Sequence, residues 1–195
     1  MSLKISDQGG DFEKCPAGVV PAWCVSVVDL GTQNSEAYGV QKKVWILFET
    51  PGKTMSDGRP FGVSRFYTAS LNEKASLRKD LEGWRGRAFT QEELDAFDLK
   101  KILGKSCLIN VVHNDKDKVG IAAIMPLPKE MTIGPRTNDL LWFDVDEFDS
   151  VAFEKIPEGI QKIIKSSFEY LHRGEPAGEP AGPGAAPAPT AEIPF

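Results

Sequence analysis

Alternation of apolar and polar residues in the first third of the chain predicts three strands. β-Branched and aromatic residues are concentrated between Gly18 and Leu30, which favours an extended conformation. From Val40 to Thr50, apolar side chains recur at every second position until Pro51-Gly52 ends the run, as in a half-buried strand. A third alternating run spans Phe61 to Thr68 and follows the turn-forming sequence Ser56-Asp57-Gly58. We therefore predict that the second and third strands form a hairpin.

After the third strand the apolar spacing changes to three or four residues, which predicts a helical insert. Two capping boxes, each a Ser or Thr followed three residues later by Glu, mark the starts of two helices: Ser70-Glu73 and Thr90-Glu93. The first helix has Leu77, Leu81 and Trp84 on one face, and Gly86 closes it. The second helix is short, and residues 99–103 add a further turn.

Strand character returns in two further runs and completes the order of elements. Ser106 to Asn114 and Val119 to Met125 are the fourth and fifth predicted strands, with a turn at residues 115–118. Five strands with one helix between the third and fourth match the OB-fold, a mainly β, five-stranded Greek-key barrel whose second and third strands commonly bind oligonucleotides. We therefore predict an OB-fold over residues 18–130, preceded by a loose N-terminal arm at residues 1–17.

Residues 131–173 are predicted to hold an acidic segment and a C-terminal helix. The acidic segment contains Trp142 and Phe143, and the helix runs from Pro157 to about Leu171. One apolar stripe follows the helix: Ile160, Ile163, Ile164, Phe168 and Leu171. The stripe either packs on the barrel or pairs with a second copy of the chain, and packing on the barrel is the preferred interpretation.

Residues 174–195 form a predicted disordered tether with a partner-binding tip. These twenty-two residues include four Gly, six Pro and six Ala, a composition that buries too little apolar surface to offset the entropy of ordering. Order-promoting residues return only in Glu192-Ile193-Pro194-Phe195. An aromatic ring beside a free carboxylate suits a protein pocket lined by cations. The alternative interpretation is a frayed terminus that ends in Phe by chance.

Charge is distributed unevenly along the chain. The net charge is −5, but residues 1–138 hold 19 Lys and Arg against 17 Asp and Glu, or +2, whereas residues 139–195 hold 4 against 11, or −7. A mildly cationic body with an acidic C-terminal part is expected when the body binds a polyanion. The alternative is that the charges serve solubility alone.

The cysteines and the apolar runs indicate a cytoplasmic protein. Cys15, Cys24 and Cys107 are odd in number and widely spaced, which favours reduced thiols over a disulfide framework. The sequence has no run of about twenty apolar residues and no secretory signal pattern. Neither membrane insertion nor secretion is therefore predicted.

Cations and aromatic residues on the second and third strands form the candidate DNA-binding site: Lys42, Lys43, Trp45, Arg59, Phe61, Arg65 and Tyr67. Cations follow a phosphate backbone, and exposed rings stack on unpaired bases at about 1–3 kcal/mol each. We expect Trp45 and Arg65 on the outward face. Phe61 and Tyr67 either join them or point into the core. A further group on or after the inserted helix is interleaved with acids and is expected to make secondary contacts only: Arg78, Lys79, Arg85 and Arg87.

No catalytic site, metal site or cofactor is predicted, and the chain is not expected to be an enzyme. Gly52-Lys53-Thr54 ends like a phosphate-binding loop, but Leu47 stands where that loop needs Gly. Asp144-x-Asp146 begins like a calcium loop, but Asp149 stands at the position of its invariant Gly. The two His and three Cys form no closely spaced pair. His113 is instead expected to hydrogen-bond a backbone group.

With this barrel order, tether and tip, the chain resembles single-stranded DNA-binding proteins of bacteria and bacteriophages. The tether and Glu192-Ile193-Pro194-Phe195 are similar to the bacterial family, although Thr190 and Ala191 stand where that family has acids. Over roughly residues 5–130 the chain is similar to a phage and prophage group of small OB-fold replication proteins. Four stretches carry that similarity: Arg59-Pro60-Phe61-Gly62-Val63-Ser64-Arg65-Phe66-Tyr67, Leu71-Asn72-Glu73-Lys74, Leu77-Arg78-Lys79-Asp80-Leu81 and Gly104 to His113.

The resemblance implies a protein that coats single-stranded DNA in replication, recombination or repair, within a bacterial or phage-infected bacterial cell. Its tip would recruit replication and repair proteins: Phe195 would be captured by ring and carboxylate, Ile193 and Pro194 would give shape, and Glu192 would guide the approach electrostatically. A homo-oligomer is left open, because the insert is longer than in a minimal bacterial barrel. Two alternatives are an interaction adaptor of a phage replication complex and a strand-annealing recombination protein.

Overall fold

The computed structural model describes residues 13–35 and 39–173, which form one largely antiparallel sheet with helices packed on both of its sides. The strands are β1 Gly18–Ser35, β2 Gly39–Thr54, β3 Pro60–Thr68, β4 Ser106–His113, β5 Val119–Met125 and β6 Leu141–Phe143. The helices are α1 Ser76–Arg85, α2 Gln91–Asp95, α3 Ser150–Glu154, α4 Glu158–Lys165 and α5 Phe168–Leu171, with a 3-10 turn at Leu99–Ile102. The five predicted strands and the helical segment between β3 and β4 are confirmed. The class is mixed α/β rather than mainly β, because helices also occupy much of the C-terminal part.

The five long strands pair in the order β3-β2-β1-β4-β5, and every neighbouring pair is antiparallel. The sixth strand, β6, was not predicted, and it pairs in parallel with Ser26, Val27 and Val28 of β1. Register shifts interrupt the β1–β2 pairing between Cys24 and Ser26 and between Asp29 and Gly31. Bulges of this kind bend a strand, so β1 can pair with β2 along one edge and with β4 and β6 along the other.

The insert confirms one of the two predicted capping boxes. Thr90 Oγ1 accepts from Glu93 N, and the Glu93 carboxylate accepts from Thr90 N at 3.1 Å. The box predicted at Ser70 is wrong, because α1 begins only at Ser76. Residues 72–75 form a turn in which Ala75 N donates to Asn72 O at 2.8 Å. The Ser70 hydroxyl accepts from the nearby Asn72 N instead.

The main hydrophobic core lies on the inner side of the sheet, under α1 and the insert. It receives buried side chains from all five long strands and from α1: among them Val20, Val27, Ile46, Phe48, Val63, Leu81, Trp84, Ile109 and Ile124. The end strands β3 and β5 lie next to each other, since Arg65 Nη1 of β3 donates to Ile121 O of β5 at 2.7 Å. Helix α1 contacts both of these strands. Cys24 and Cys107 are fully buried in this core.

A second core lies on the outer side of β1 and β2. We call the residues that cover this side, from β6 to the end of α5 at Leu171, the C-terminal layer. Val28, Leu30 and Trp45 of the sheet pack there against buried residues of the layer: Phe143, Val145, Phe153, Ile156 and Ile164. The preferred interpretation, in which the C-terminal segment packs on the sheet, is thus confirmed for the first part of the stripe. Phe168 and Leu171 at its end are exposed.

The predicted single helix from Pro157 to Leu171 is wrong, because the chain forms two helices there. Helix α4 ends at Lys165, and Ser167 begins α5 by accepting a hydrogen bond from Tyr170 N. The Ser167 hydroxyl also donates to Ile164 O at 2.7 Å. A buried serine that bonds to both helices therefore separates them.

Two smaller expectations can be compared with the described ranges. His113 Nε2 lies 2.8 Å from Cys15 O, so the predicted backbone partner of this histidine is confirmed. None of the helices in residues 13–35 and 39–173 has both the length and the apolar character needed to span a membrane.

Candidate nucleic-acid interface

Trp45 does not lie on an exposed surface. Its side chain points to the outer side of the sheet, as alternation along β2 predicts, but it is only 4% exposed. The C-terminal layer covers it, and Val28 is its cross-strand partner on β1. The prediction of an exposed Trp45 is therefore wrong. Alternation identifies the face of a strand that a side chain occupies, but it does not identify what packs on that face.

The predicted outward position of Arg65 is also wrong, and of the two alternatives for Phe61 and Tyr67 the inward one is correct. All three lie on the inner side of β3, and Phe61 and Tyr67 belong to the main core, as in the alternative interpretation. The Tyr67 hydroxyl donates to Asp80 Oδ2 at 2.7 Å. Burial raises the pKa of Tyr67, and the neighbouring Asp80 carboxylate raises it further. These two rings are buried in this arrangement and present no exposed face for stacking.

The polar contacts of Arg65 are with other parts of the fold. Its side chain is 27% exposed and lies 2.9 Å from Asp80 Oδ2, in addition to its bond to Ile121 O. Burial raises the pKa of Asp80, while the bond from Tyr67 and the charge of Arg65 lower it in part. The guanidinium thus links β3, β5 and α1.

The remaining candidates on β2 and in the β2–β3 turn differ in how their charge is balanced. Lys42 Nζ lies 3.0 Å from Asp29 and 2.9 Å from Asp146. Burial acts against its charge, but these two carboxylates outweigh burial and raise the pKa of Lys42. Arg59 pairs with Asp57 in the turn. Lys43 donates to neutral groups only in its two bonds, Gln41 Oε1 at 2.6 Å and Thr68 Oγ1 at 2.9 Å.

Lys42 also lies beside a cluster of three carboxylates. Carboxylate oxygens of Asp29, Asp144 and Asp146 lie within 4.8 Å of one another. The ammonium group of Lys42 pairs with two of the three. The single positive charge of Lys42 therefore offsets part of the negative charge of these three acids, and a formal charge of −2 remains.

Phe66 is the aromatic residue that the sequence reasoning missed. It is 50% exposed on the outer side of β3, and its cross-strand partner is Trp45. Lys43 occupies the same side, two pairs along, opposite Thr68. Cross-strand neighbours at such diagonal positions are within reach of long side chains. The signal was present in the sequence, because Phe66 alternates with Arg65 and Tyr67, which face inward.

Two of the four predicted secondary contacts, Arg85 and Arg87, lie in a cleft on a different part of the molecule. We call it the insert cleft; it lies between the end of α1, the segment from α2 to the 3-10 turn, and the start of β4. Its cationic lining comprises Arg85, Arg87, Lys101 and Lys105, and its volume is about 350 Å³. Arg78 pairs with Glu82 on α1 and is not part of this lining. Two of the four predicted secondary contacts are thus brought together with two lysines that the sequence analysis did not single out.

The predicted partner-binding tip, Glu192-Ile193-Pro194-Phe195, lies outside the described residues. The chain matches no protein-family model, and the comparison with curated proteins yields no significant match.

Proposed function

We propose that this protein binds single-stranded DNA with little sequence preference, in replication or recombination, and recruits replication proteins through Glu192–Phe195. The observation that carries the proposal is the pair formed by Phe66 and Lys43 on the outer side of β2 and β3. A half-exposed ring can stack on an unpaired base, and an ammonium group beside it that pairs with no carboxylate among the described residues can contact phosphate. These contacts replace the ones expected from Trp45 and Arg65.

The sheet order supports an OB-fold barrel as the finer description of the fold. Strand order β3-β2-β1-β4-β5, with α1 between β3 and β4, is the order expected for a five-stranded Greek-key barrel. The bond from Arg65 to Ile121 O joins the two end strands, which is the junction that closes such a barrel. Oligonucleotides commonly bind on the strand two and three face of this fold. Phe66 and Lys43 occupy that face.

The C-terminal layer restricts where a strand of DNA can lie. It covers Trp45 and packs against Leu47 on the outer side of β2. It leaves Phe66 exposed on β3. A bound strand therefore runs along β3 and the nearby end of β2, and not across the middle of the sheet.

Phe66→Ala should weaken binding to single-stranded DNA, because the variant removes the stacking ring. The expected loss is about 1–3 kcal/mol, or about 5- to 150-fold in Kd. Fluorescence anisotropy with a labelled oligothymidylate measures it. Phe168→Ala is the matched control, since Phe168 is 60% exposed on α5 and is not on the β2–β3 face. Equal affinities for both variants and the original chain would contradict the assignment of this face.

Removing Glu192–Phe195 should leave the affinity for single-stranded DNA unchanged or higher. An acidic segment competes with phosphate for cationic side chains, so its loss cannot weaken their binding to DNA. Binding to a replication protein from the host should be lost in the same variant. The measurement is anisotropy with the labelled oligonucleotide, alongside a pull-down with purified partner proteins. A large loss of DNA affinity would show that the tip itself contacts DNA.

A second candidate function is an adaptor that binds proteins through the folded part of the chain. The observation that favours it is an exposed apolar patch at the end of the C-terminal layer, formed by Val40, Phe168 and Leu171. Exposed apolar groups of this kind often mark protein contacts. Absence of DNA binding even at low salt, together with partner binding that Phe168→Ala abolishes, would favour the adaptor.

A further inference from the structure

The insert cleft is lined by an excess of positive charge. Four cations surround it, Arg85, Arg87, Lys101 and Lys105, together with one carboxylate, Glu93. The formal charge of the lining is therefore +3, four positive groups against one negative. Apolar side chains complete the walls: Leu81, Trp84, Ala96, Phe97 and Ile102. Charged groups between low-dielectric walls concentrate the electrostatic field, and this favours an anionic ligand.

Glu93 is the internal counter-ion of the two arginines. Arg87 Nη1 and Nη2 donate to its two carboxylate oxygens at 3.0 and 2.7 Å, and Arg85 Nη2 donates to Oε1. The bonds from Arg87, the Thr90 backbone and Arg85 lower the pKa of Glu93 to about 2. Glu93 is therefore ionised throughout the neutral range and competes with any anion for these guanidinium groups.

Arg85 has a hydrogen-bonding capacity that the protein does not use. Its Nη1 is buried and has no acceptor among the residues that the structure describes. The guanidinium also lies over the Phe89 ring, 4.4 Å from the ring centre. A buried donor without an acceptor typically costs about 1–3 kcal/mol. An anion that enters the cleft can supply the acceptor after a small rotation of the side chain.

We propose that the insert cleft binds a phosphate group of a nucleotide, contacted by Arg85, Arg87 and Lys105, with Lys101 at its edge. The cleft volume is at the lower end of the roughly 300–1,000 Å³ that small-ligand sites occupy, which suits one nucleotide unit. Planar guanidinium groups match phosphate oxygens in pairs, and the rings of Phe97 and Trp84 provide an apolar wall for sugar or base. The inference deepens the proposed function, because the phosphate would belong to the bound single strand. The cleft and the Phe66 face would then contact one strand at two places.

The test compares two double variants with equal loss of charge. Arg87→Gln with Lys105→Gln removes two cleft cations, and each lost phosphate contact should reduce the slope of log Kd against log salt by about 0.7. The affinity for a labelled oligothymidylate should fall about 20-fold at 0.1 M salt. Lys155→Gln with Lys162→Gln removes two exposed cations of the C-terminal layer instead and should leave the slope unchanged. Arg87 is 56% exposed and Lys105 is exposed, so the cleft variant is expected to fold.

Glu93→Gln should change the affinity in the opposite direction. It removes the competing carboxylate while keeping the capping box at Thr90, since glutamine also serves at that position. The expected result is about a fivefold lower Kd for the oligonucleotide at low salt. Equal affinities for the cleft variant, its control and Glu93→Gln would overturn the inference while leaving the proposed function in place.

Two further arms separate the source of the phosphate and the two levels of the proposal. Oligonucleotides with and without a 5′-phosphate distinguish an internal phosphate from a terminal one. Tighter binding of the phosphorylated oligonucleotide indicates a terminal phosphate, and equal binding of the two indicates an internal one. Inorganic phosphate and a nucleoside monophosphate are then titrated while Tm is followed, because a ligand that binds the folded state raises Tm. A rise in Tm that the cleft variant abolishes, in a chain with no affinity for single-stranded DNA, would contradict the proposed function and support the cleft. No rise in Tm and no effect of the cleft variant on DNA binding would overturn the inference.

Discussion

Trp45→Ala should destabilise the protein by about 3–5 kcal/mol, the range typical of removing a buried aromatic side chain. The indole is almost fully buried between β2 and the C-terminal layer, where it contributes to the second core. Truncation leaves a cavity that only partial collapse of the layer can fill. Urea denaturation followed by circular dichroism gives the change in the free energy of unfolding.

Phe66→Ala is the control for this experiment, since Phe66 is the cross-strand partner of Trp45 and is half exposed. Its stability should change by less than about 1 kcal/mol, as is usual for exposed positions. The two variants should therefore show opposite patterns. Trp45→Ala loses stability but retains DNA affinity in its folded fraction, whereas Phe66→Ala loses DNA affinity but retains stability. Normal stability with weak DNA binding in Trp45→Ala would show that the indole contacts DNA.

Local pattern was sufficient to predict most of the sheet. The bounds of β5 agree with the predicted Val119–Met125, and those of β3 and β4 differ by one residue at one end. Period-two alternation is a direct consequence of strand geometry, so it also gave the correct side for Trp45 on β2. It likewise groups Phe61, Arg65 and Tyr67 on one side of β3. The error was to take that side as the outer one.

Contacts between distant parts of the chain could not be predicted in this way. Lys42 and Asp146 are 104 residues apart, and the ion pair between them depends on where the C-terminal layer lies. Glu49 is another example, since its buried carboxylate accepts from Thr137 N at 2.6 Å and from Asn138 N at 2.8 Å. A single sequence indicates that residues 131–173 are acidic and partly apolar. It does not indicate which strands these residues cover.

The insert cleft illustrates the same limit for the site. Arg85 and Arg87 are interleaved with acids along the chain, which predicts a solvated face with local ion pairs. The fold instead brings Lys101 and Lys105 into the same lining, and Glu93 is the one acidic group that the described residues contribute to it. The excess of charge thus arises from the packing of the insert on α1, and no spacing rule within the sequence expresses it.

Gly31→Ala should destabilise the protein by about 2–5 kcal/mol, because Gly31 permits the close approach of the C-terminal layer to β1. Its φ of +69° is one that L-residues adopt at a cost of about 1–2 kcal/mol. A Cβ there would also lie 2.6 Å from Ser167 Cβ and 2.7 Å from Glu169 Oε2, and overpacking of this kind adds about 1–3 kcal/mol. Ser167 is fully buried, so it cannot move aside without shifting α5.

Gly86→Ala separates the cost of the positive φ from the cost of overpacking in the Gly31 substitution. Gly86 has nearly the same φ, +66°, but the nearest described atom to its Cβ would be Pro126 Cγ at 3.9 Å, an ordinary contact. This variant should therefore lose only about 1–2 kcal/mol. Urea denaturation followed by circular dichroism measures both losses. Equal losses of stability in the two variants would mean that Ser167 and Glu169 of the C-terminal layer do not pack closely against Gly31 of β1.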